Sequence, residues 1–508
     1  MSEPLRCVDP RALVVGYDFS TGGVKALAFN LSGQTVAQVR LPTDLWTAGG
    51  VSELNVMQVE GQARAATRAL ADQLDLLGYP ERWLAAGVSA THHTAARIDR
   101  AGNQVRRAIC WNDQTLAAYH AKGLERLGGQ RRAKELTGGP WAVRYSLSHL
   151  VKDEETLSEE GWKRTKWALP HGPLAAGYLT GRFNCTSVSS AASTGVMDLR
   201  TNRWCAAMLD ALEHPAYRDL AYDALPAIIE MDEPVGPLSE SVALDARLPV
   251  GCRPLVFPTV DDQAAGLIGG GAVDAGQVAV ILGNSAVVNS SSAGLPQAGT
   301  LDAMKLNWGP YLWMRCYSNG AQFVDVVAGR DWYTLEADAA RVAPLCGGVS
   351  VLPFLLSEPS VGVEAPQVRW APAEPAERPV RVRACLEALA YLLARAVGEH
   401  EAAGQTVTRV TVSGGMARSN LMCEILASVL DRPLERLVSD EGPALGAAVV
   451  ALAGLESYKR KEQGVAEPYT AADAVGTMVT FRDRVQPVPA WVGEYARGMA
   501  AFERRLSE

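Results

Sequence analysis

ALVVGYDFSTGGVKALAFN, residues 12–30, opens with a continuous apolar run and reaches an acid at Asp18. It turns on Ser20-Thr21-Gly22-Gly23 and returns as a second apolar run. Two such runs around a tight turn of small residues read as a hairpin of buried strands. Asn30-Leu31-Ser32-Gly33 is a second turn signal, and QTVAQVRLP (34–42) continues as a third antiparallel strand. The first turn also has a chemical reading. Small residues leave backbone N–H groups uncovered, and a run of such groups forms a nest for phosphate oxygens. Asp18, at the strand end, can hold Mg2+ through water, because Mg2+ gives up its hydration shell reluctantly. The plain alternative is an ordinary hairpin with an exposed acid.

Further along, Val59, Ala63, Ala66, Leu70 and Leu74 recur at helical spacing. Trp83–Ser89 reads as an inner strand ending in the polar cluster Thr91-His92-His93-Thr94. Strands, then a helix, then a strand predict a mixed sheet flanked by helices. Residues 115–250 read as helical and loop-rich. Six of the chain's 28 prolines fall between Pro226 and Pro258, which places a domain boundary at 256/257. The second half opens with another hairpin, Gln277–Leu282 and Ala286–Asn289 around Gly283-Asn284-Ser285. A helix from Val382 to about Ala402 follows, then the strand Thr408–Ser413, the pair Gly414-Gly415 and a helix from Ser419 to Leu430. Pro443–Leu455, rich in Ala and Gly, reads as a tightly packed helix. Residues 456–508 are more polar and helical at the end.

Composition removes several classes. A chain of 508 residues exceeds a single small module. Net charge is -8, from 48 basic and 56 acidic residues, which argues against sequence-independent nucleic-acid binding. The nine cysteines form no CxxC pair and their number is odd, so a disulfide framework or zinc ribbon is not expected and a reducing compartment is. No signal-type segment opens the chain and no apolar run is long enough to span a bilayer, so the expectation is a cytoplasmic protein with no membrane partner. The absence of any Gly-Lys dipeptide removes P-loop chemistry, and GxGxxG after a strand, HExxH and GxSxG are absent too.

The remaining motifs carry polar chemistry. Asp261-Asp262-Gln263-Ala264-Ala265-Gly266 puts two acids at the start of a small-residue helix. A carboxylate there tends to stay ionised and can accept a proton from a hydroxyl, or it can simply cap the helix. Adjacent strand residues point to opposite faces, so His92 and His93 are not expected to share a metal; one is expected to face a cleft while the other packs. Trp111-Asn112-Asp113-Gln114 follows an apolar run and suits a polyol, which needs paired donors and acceptors. Gly414-Gly415-Met416 lets a flat purine approach the backbone, unless it is only a strand-to-helix connector.

In this order, GYDFSTGGVKALAF, WNDQT, YLTGRF with the later AAST, LPAIIE with VGPL, DDQAAG, LGNS, GGMARS and GPALGAAVVALAG resemble the FGGY family of carbohydrate kinases, in its xylulokinase-like branch, from about residue 12 to about residue 455. The resemblance implies an α/β fold of two ribonuclease-H-like (actin-like ATPase) domains around a cleft, with sugar bound mainly by residues 1–256 and ATP by residues 257–508. It implies ATP and Mg2+ as cofactors and a small-molecule sugar as partner, with a homodimer left open. Asp262 matches the catalytic base, and Asp18, together with Asp262, the Mg2+-associated acids. Ser20, Thr21 and Gly22 match the first phosphate turn, and Gly283, Asn284 and Ser285 the second. Gly414, Gly415, Met416 and Asn420 match the adenosine loop; His92, His93, Asn112 and Asp113 match the sugar site. The implied reaction is D-xylulose to D-xylulose 5-phosphate; the alternatives are ribulose, gluconate or a tetritol, or a non-catalytic sensor. The chain departs from the family pattern at Ser20 and Asp261, where glycines are usual, at Thr91, where glutamine is usual, and at His92, where methionine is usual. The Arg-Glu pair of glycerol kinases is absent near residue 91, which disfavours glycerol.

Overall fold

The first three apolar runs become antiparallel strands Leu13–Phe19, Gly23–Asn30 and Thr35–Pro42 in a computed structural model, which describes residues 7–439 and 441–508. Leu13–Phe19 is buried at every position, as a strand covered on both faces must be. Trp83–Ala90 pairs with it in parallel, setting Asp18 opposite Ser89. Two short segments, Leu255–Val256 and Val260–Asp261, add in parallel on the other side of Trp83–Ala90, with Asp261 opposite Ala90. Parallel strands end at the same edge of a sheet. Asp18, residues 91–93 and Asp261-Asp262 are thereby gathered at the carboxyl ends of three strands, the edge where open α/β sheets bind ligands.

Two helices clamp this sheet. Val56–Leu76 buries Val59, Ala63, Ala66, Leu70 and Leu74, the expected stripe, and the Tyr17 hydroxyl meets Thr67 on it at 2.7 Å. Gly16, one residue earlier on the strand, points the other way and meets the helix Gly442–Gln463. A Cβ on Gly16 would overlap the Ala444 carbonyl oxygen, and a Cβ on Gly446 the Ala265 carbonyl oxygen of the helix Asp262–Gly269. The Ala/Gly composition of 443–455 is therefore a close-approach surface that seats the helix carrying Asp262 against the sheet. Gly16→Ala is expected to cost about 1–3 kcal/mol through overpacking and to lower Tm by several degrees. Gly22→Ala, whose Cβ would meet nothing within 4 Å, leaves Tm unchanged in the same thermal melt.

The chain forms two compact units, neither of them continuous. The first runs to Gly269 and takes in Asp302–Leu312 and Glu441–Val479; the second comprises Gly270–Leu301, the residues from Trp313 to 439, and Thr480–Glu508. This differs from a single cut at 256/257. The proline-rich segment does not separate the units, because Leu255–Val256 and Val260–Asp261 are strands of the first sheet, and Gly442–Gln463 returns to that sheet.

In the second unit Gln277–Leu282 and Ala286–Ser292 form the expected hairpin. Arg409–Ser413 runs parallel to Gln277–Leu282, and Leu434–Leu437 parallel beyond it. The strand Phe481–Val485, not foreseen in the polar tail, closes that edge antiparallel. Helix Arg378–Ala402 starts four residues earlier than its apolar spacing suggested, with proline in its first turn, a position where the missing N–H is harmless. Each unit thus repeats one scheme, an antiparallel hairpin followed by parallel strands and covering helices, as in the ribonuclease-H-like domains of actin-like ATPases. Among the described residues no helix is long and apolar enough to cross a membrane.

Candidate active site

Asp262 begins its helix immediately after the strand Val260–Asp261. The main-chain N–H of His92 donates to its Oδ1 at 3.3 Å, and a quarter of the side chain stays exposed. Burial is the largest influence on its carboxyl and, with the charge of Asp261, pushes it up to about 6 against the opposing pull of His92. The expected tendency of a helix-start acid to stay ionised is therefore opposed by desolvation, and the group is poised where a general base is effective.

Asp18 is 7% exposed and accepts a hydrogen bond from Ser89 Oγ at 3.2 Å. Burial first, then the Asp262 carboxylate, push it up to about 7, while Lys25 pulls it down. Lys25 Nζ lies 2.7 Å from Glu441, which Arg40 also engages. Two neighbouring carboxylates held at such values fit a shared cation. Among the described residues no group of three or more His, Cys, Asp or Glu could hold a metal alone. Mg2+ takes one or two carboxylates and completes its shell with water and substrate phosphates, and Asp18 and Asp262 are the carboxylates that could serve it.

The turn after Asp18 is closed by Ser20. Its N–H and its Oγ both donate to the Gly23 carbonyl, at 2.9 and 2.8 Å, and the Gly23 N–H donates back to Oγ at 3.2 Å. Ser20 thus serves the turn itself. Thr21 is half-buried, and Gly22 is exposed with open space around it.

His92 and His93 are not on a strand. The strand stops at Ala90, and the pair occupies a turn with His93 at φ +59°. Strand alternation therefore does not apply. The two rings stack with centroids 4.0 Å apart, and Tyr145 stacks on His93 at 4.5 Å. Both histidines are buried. His93 Nδ1 lies 2.9 Å from the Ser193 carbonyl oxygen, which can only accept, so Nδ1 carries the hydrogen. Burial, reinforced by His92, holds His93 well below the usual imidazole range. The ring is neutral, and Nε2 is left as an acceptor, buried and without a hydrogen-bond partner among the described residues. A buried acceptor of this kind matches an alcohol hydroxyl. A bulky residue held at positive φ is itself unusual and is a frequent mark of a functional turn.

Asn112 is exposed, but Asp113 is buried and occupied. It accepts from Lys152 Nζ at 2.8 Å and from Thr115. Burial raises its carboxyl, yet Lys152 and Thr115 hold it below the usual carboxylate range. Lys152, Tyr145, Ser190 and Ser193 belong to this neighbourhood and were not singled out from sequence. Nothing local marks them, since each is recruited from a helix or turn distant in the chain.

The other candidates lie in the second unit. Gly283-Asn284-Ser285 and Gly414-Gly415-Met416 leave the paired parallel strands Gln277–Leu282 and Arg409–Ser413 at the same edge. Gly414 has φ +91°, and a Cβ there would press on the Leu282 backbone, so the position requires glycine. The Ala321 N–H donates to the Gly283 carbonyl at 2.8 Å and fixes the neighbouring turn. Asn284 and Gly415 are exposed, whereas Met416 is buried in the core, so this loop presents backbone rather than the methionine side chain. Asn420 Oδ1 accepts from Arg436 Nη1 at 2.7 Å.

Residues 13–269 match the N-terminal domain of the FGGY family of carbohydrate kinases, and residues 327–455 match its C-terminal domain. The chain is 29% identical over 458 residues to a xylulose kinase of Escherichia coli (strain K12), covering 86% of this chain and 89% of that protein. It is 28% identical over 477 residues to a glycerol kinase of Methylorubrum extorquens (strain PA1), covering 85% and 88%. The crystal structure of xylulose kinase from Rhodospirillum rubrum superposes with a TM-score of 0.82 at 21% identity, covering 97% of this chain and 98% of that one. That likeness shows the fold, two actin-like ATPase domains, and the matched domains together settle the assignment: the chain belongs to the FGGY family of carbohydrate kinases.

Proposed function

We propose that the protein transfers the γ-phosphate of ATP to a terminal hydroxyl of a ketose, D-xylulose giving D-xylulose 5-phosphate. The observation that carries this reading is the raised carboxyl of Asp262, which accepts from the main-chain N–H of His92, with the His92 ring stacked on the buried, neutral imidazole of His93. Asp262 accepts the hydroxyl proton as the oxygen–phosphorus bond forms. His93 Nε2 accepts from a second hydroxyl and orients the sugar, with Asn112 and Asp113 as further sugar contacts. The turn at Ser20, Thr21 and Gly22 offers its backbone to the transferred phosphate. The turn at Gly283, Asn284 and Ser285 takes the remaining phosphates, and Gly414, Gly415, Met416 and Asn420 form the floor for the adenosine. Asp18 and Asp262 would hold Mg2+, which would supply charge neutralisation of the phosphates. The protein's own contribution is then positioning and a dry, polar setting for the developing charge.

The E. coli relative named a xylulose kinase supports xylulose, and the M. extorquens relative, a glycerol kinase at nearly equal identity, puts polyols on the same test. ADP release is measured with Mg-ATP and a panel of D-xylulose, ribulose, gluconate, tetritols, L-fuculose and glycerol. Release stimulated most by D-xylulose is expected. Stimulation by another member reassigns the substrate, sugar-independent release indicates an ATPase, and no release indicates a sensor.

A further inference from the structure

Two positions that depart from the family pattern meet in the fold. His92 Nε2 lies 3.0 Å from Asp261 Oδ2, and His92 Nδ1 lies 3.9 Å from Asp262 Oδ1. Asp261 is 2% exposed and His92 6%. Ser190 Oγ donates to Asp261 Oδ1 at 3.1 Å, and the Asp261 N–H donates to Ser189 Oγ at 3.3 Å. Neither ring nitrogen of His92 nor Asp261 Oδ2 has an aligned hydrogen bond among the described residues, so the close approach of ring and carboxylate is what each has.

Consecutive carboxylates at 261 and 262 in one buried turn are an unfavourable combination unless something polar lies against them. The His92 ring lies against both. The same residue supplies the main-chain N–H that donates to Asp262 Oδ1. The side chain of Asp261 thus lies against the ring of the residue whose main-chain N–H donates to Asp262.

We propose that Asp261 and His92 act as one positioning unit for Asp262: the Asp261 carboxylate anchors the His92 ring, and the anchored residue holds the Asp262 carboxylate through its main-chain N–H. The proposal rests on Asp262 being the base. Neither residue contacts the transferred phosphorus; both act through Asp262.

The test is a double-mutant cycle with His92→Met, Asp261→Gly and the two combined, in steady-state assays normalised to nucleotide-binding sites. Removing the imidazole alone leaves a buried carboxylate without its partner, and removing the carboxylate alone frees the ring. Removing both leaves no orphan, so the effects are coupled. Each single variant is expected to lose about 10-fold or more in kcat with KM for ATP within about twofold, and the double variant to lose about as much as the worse single and no more. Asp261→Asn, which keeps an oxygen beside the ring, is expected to retain more activity than Asp261→Gly. Silent single variants, or a double variant as poor as the product of the singles, overturn the proposal. Wild type without sugar-dependent ADP release would remove the reaction and this role with it; an active wild type with an additive cycle removes the positioning unit alone.

Discussion

Asp262→Asn is expected to lose about 10²–10⁴-fold in kcat for the best sugar while KM for ATP stays within about threefold. The substitution keeps the shape of the side chain and an oxygen for the His92 main-chain N–H, so the loss reports the missing base rather than a collapsed turn. The active form of the group is the carboxylate. With Asp262 pushed up to about 6 by burial and Asp18 up to about 7, wild-type kcat/KM should rise with pH between about 5 and 8 and level off above. The residual activity of Asp262→Asn should lose the part of this limb that belongs to residue 262. Turnover within tenfold of wild type, with an unchanged acid limb, would take the base role away from Asp262.

Local patterns carried the scaffold of this site, while its chemistry depends on contacts that sequence order does not display. The hairpin at 12–30 was legible because a strand buried on both faces must be apolar throughout, which makes the lone Asp18 conspicuous. The helix at 56–76 was legible because its buried stripe keeps strict spacing. The small residues of 443–455 announced close packing, but not that their partners are Gly16 and Ala265, hundreds of residues earlier. The histidine pair was misplaced by alternation because the strand ends at Ala90, before either histidine, and the left-handed turn at His93 has no signature in a non-glycine residue. That Lys152 holds Asp113 was not legible, because the two lie 39 positions apart. Phe481–Val485 was missed because an edge strand with exposed charges at its centre resembles a polar loop until Leu434–Leu437 is beside it.

Asp18→Asn should move stability and activity in opposite directions. The ordinary value of this carboxyl is 3.8, and burial, helped by the charge of Asp262, pushes it up to about 7 in the folded chain. The folded state therefore binds the proton more tightly than the unfolded state does. For a raised carboxyl, the stability tied to that proton is present at low pH and is lost as pH climbs through the window from about 4 to about 7. Above pH 7 the ionised Asp18 is a standing penalty, on the order of a few kcal/mol for a shift of this size. Asparagine carries no such charge and can still meet Ser89 Oγ. In EDTA and without nucleotide, Asp18→Asn should raise Tm by a few degrees at pH 8, by less at pH 5.5, and not at all below about pH 3, where the aspartate is neutral in both states. The same variant should lose about 10²-fold or more in sugar phosphorylation, because the acid expected to hold Mg2+ against the phosphates is gone. The two effects share one cause: a carboxylate kept out of water and beside another is unstable until a cation and a polyphosphate arrive to meet it, so its strain is the measure of its readiness to bind them. A Tm gain that does not vary with pH would show that Asp18 is not held in this state, and full activity in Asp18→Asn would separate the strained acid from the reaction.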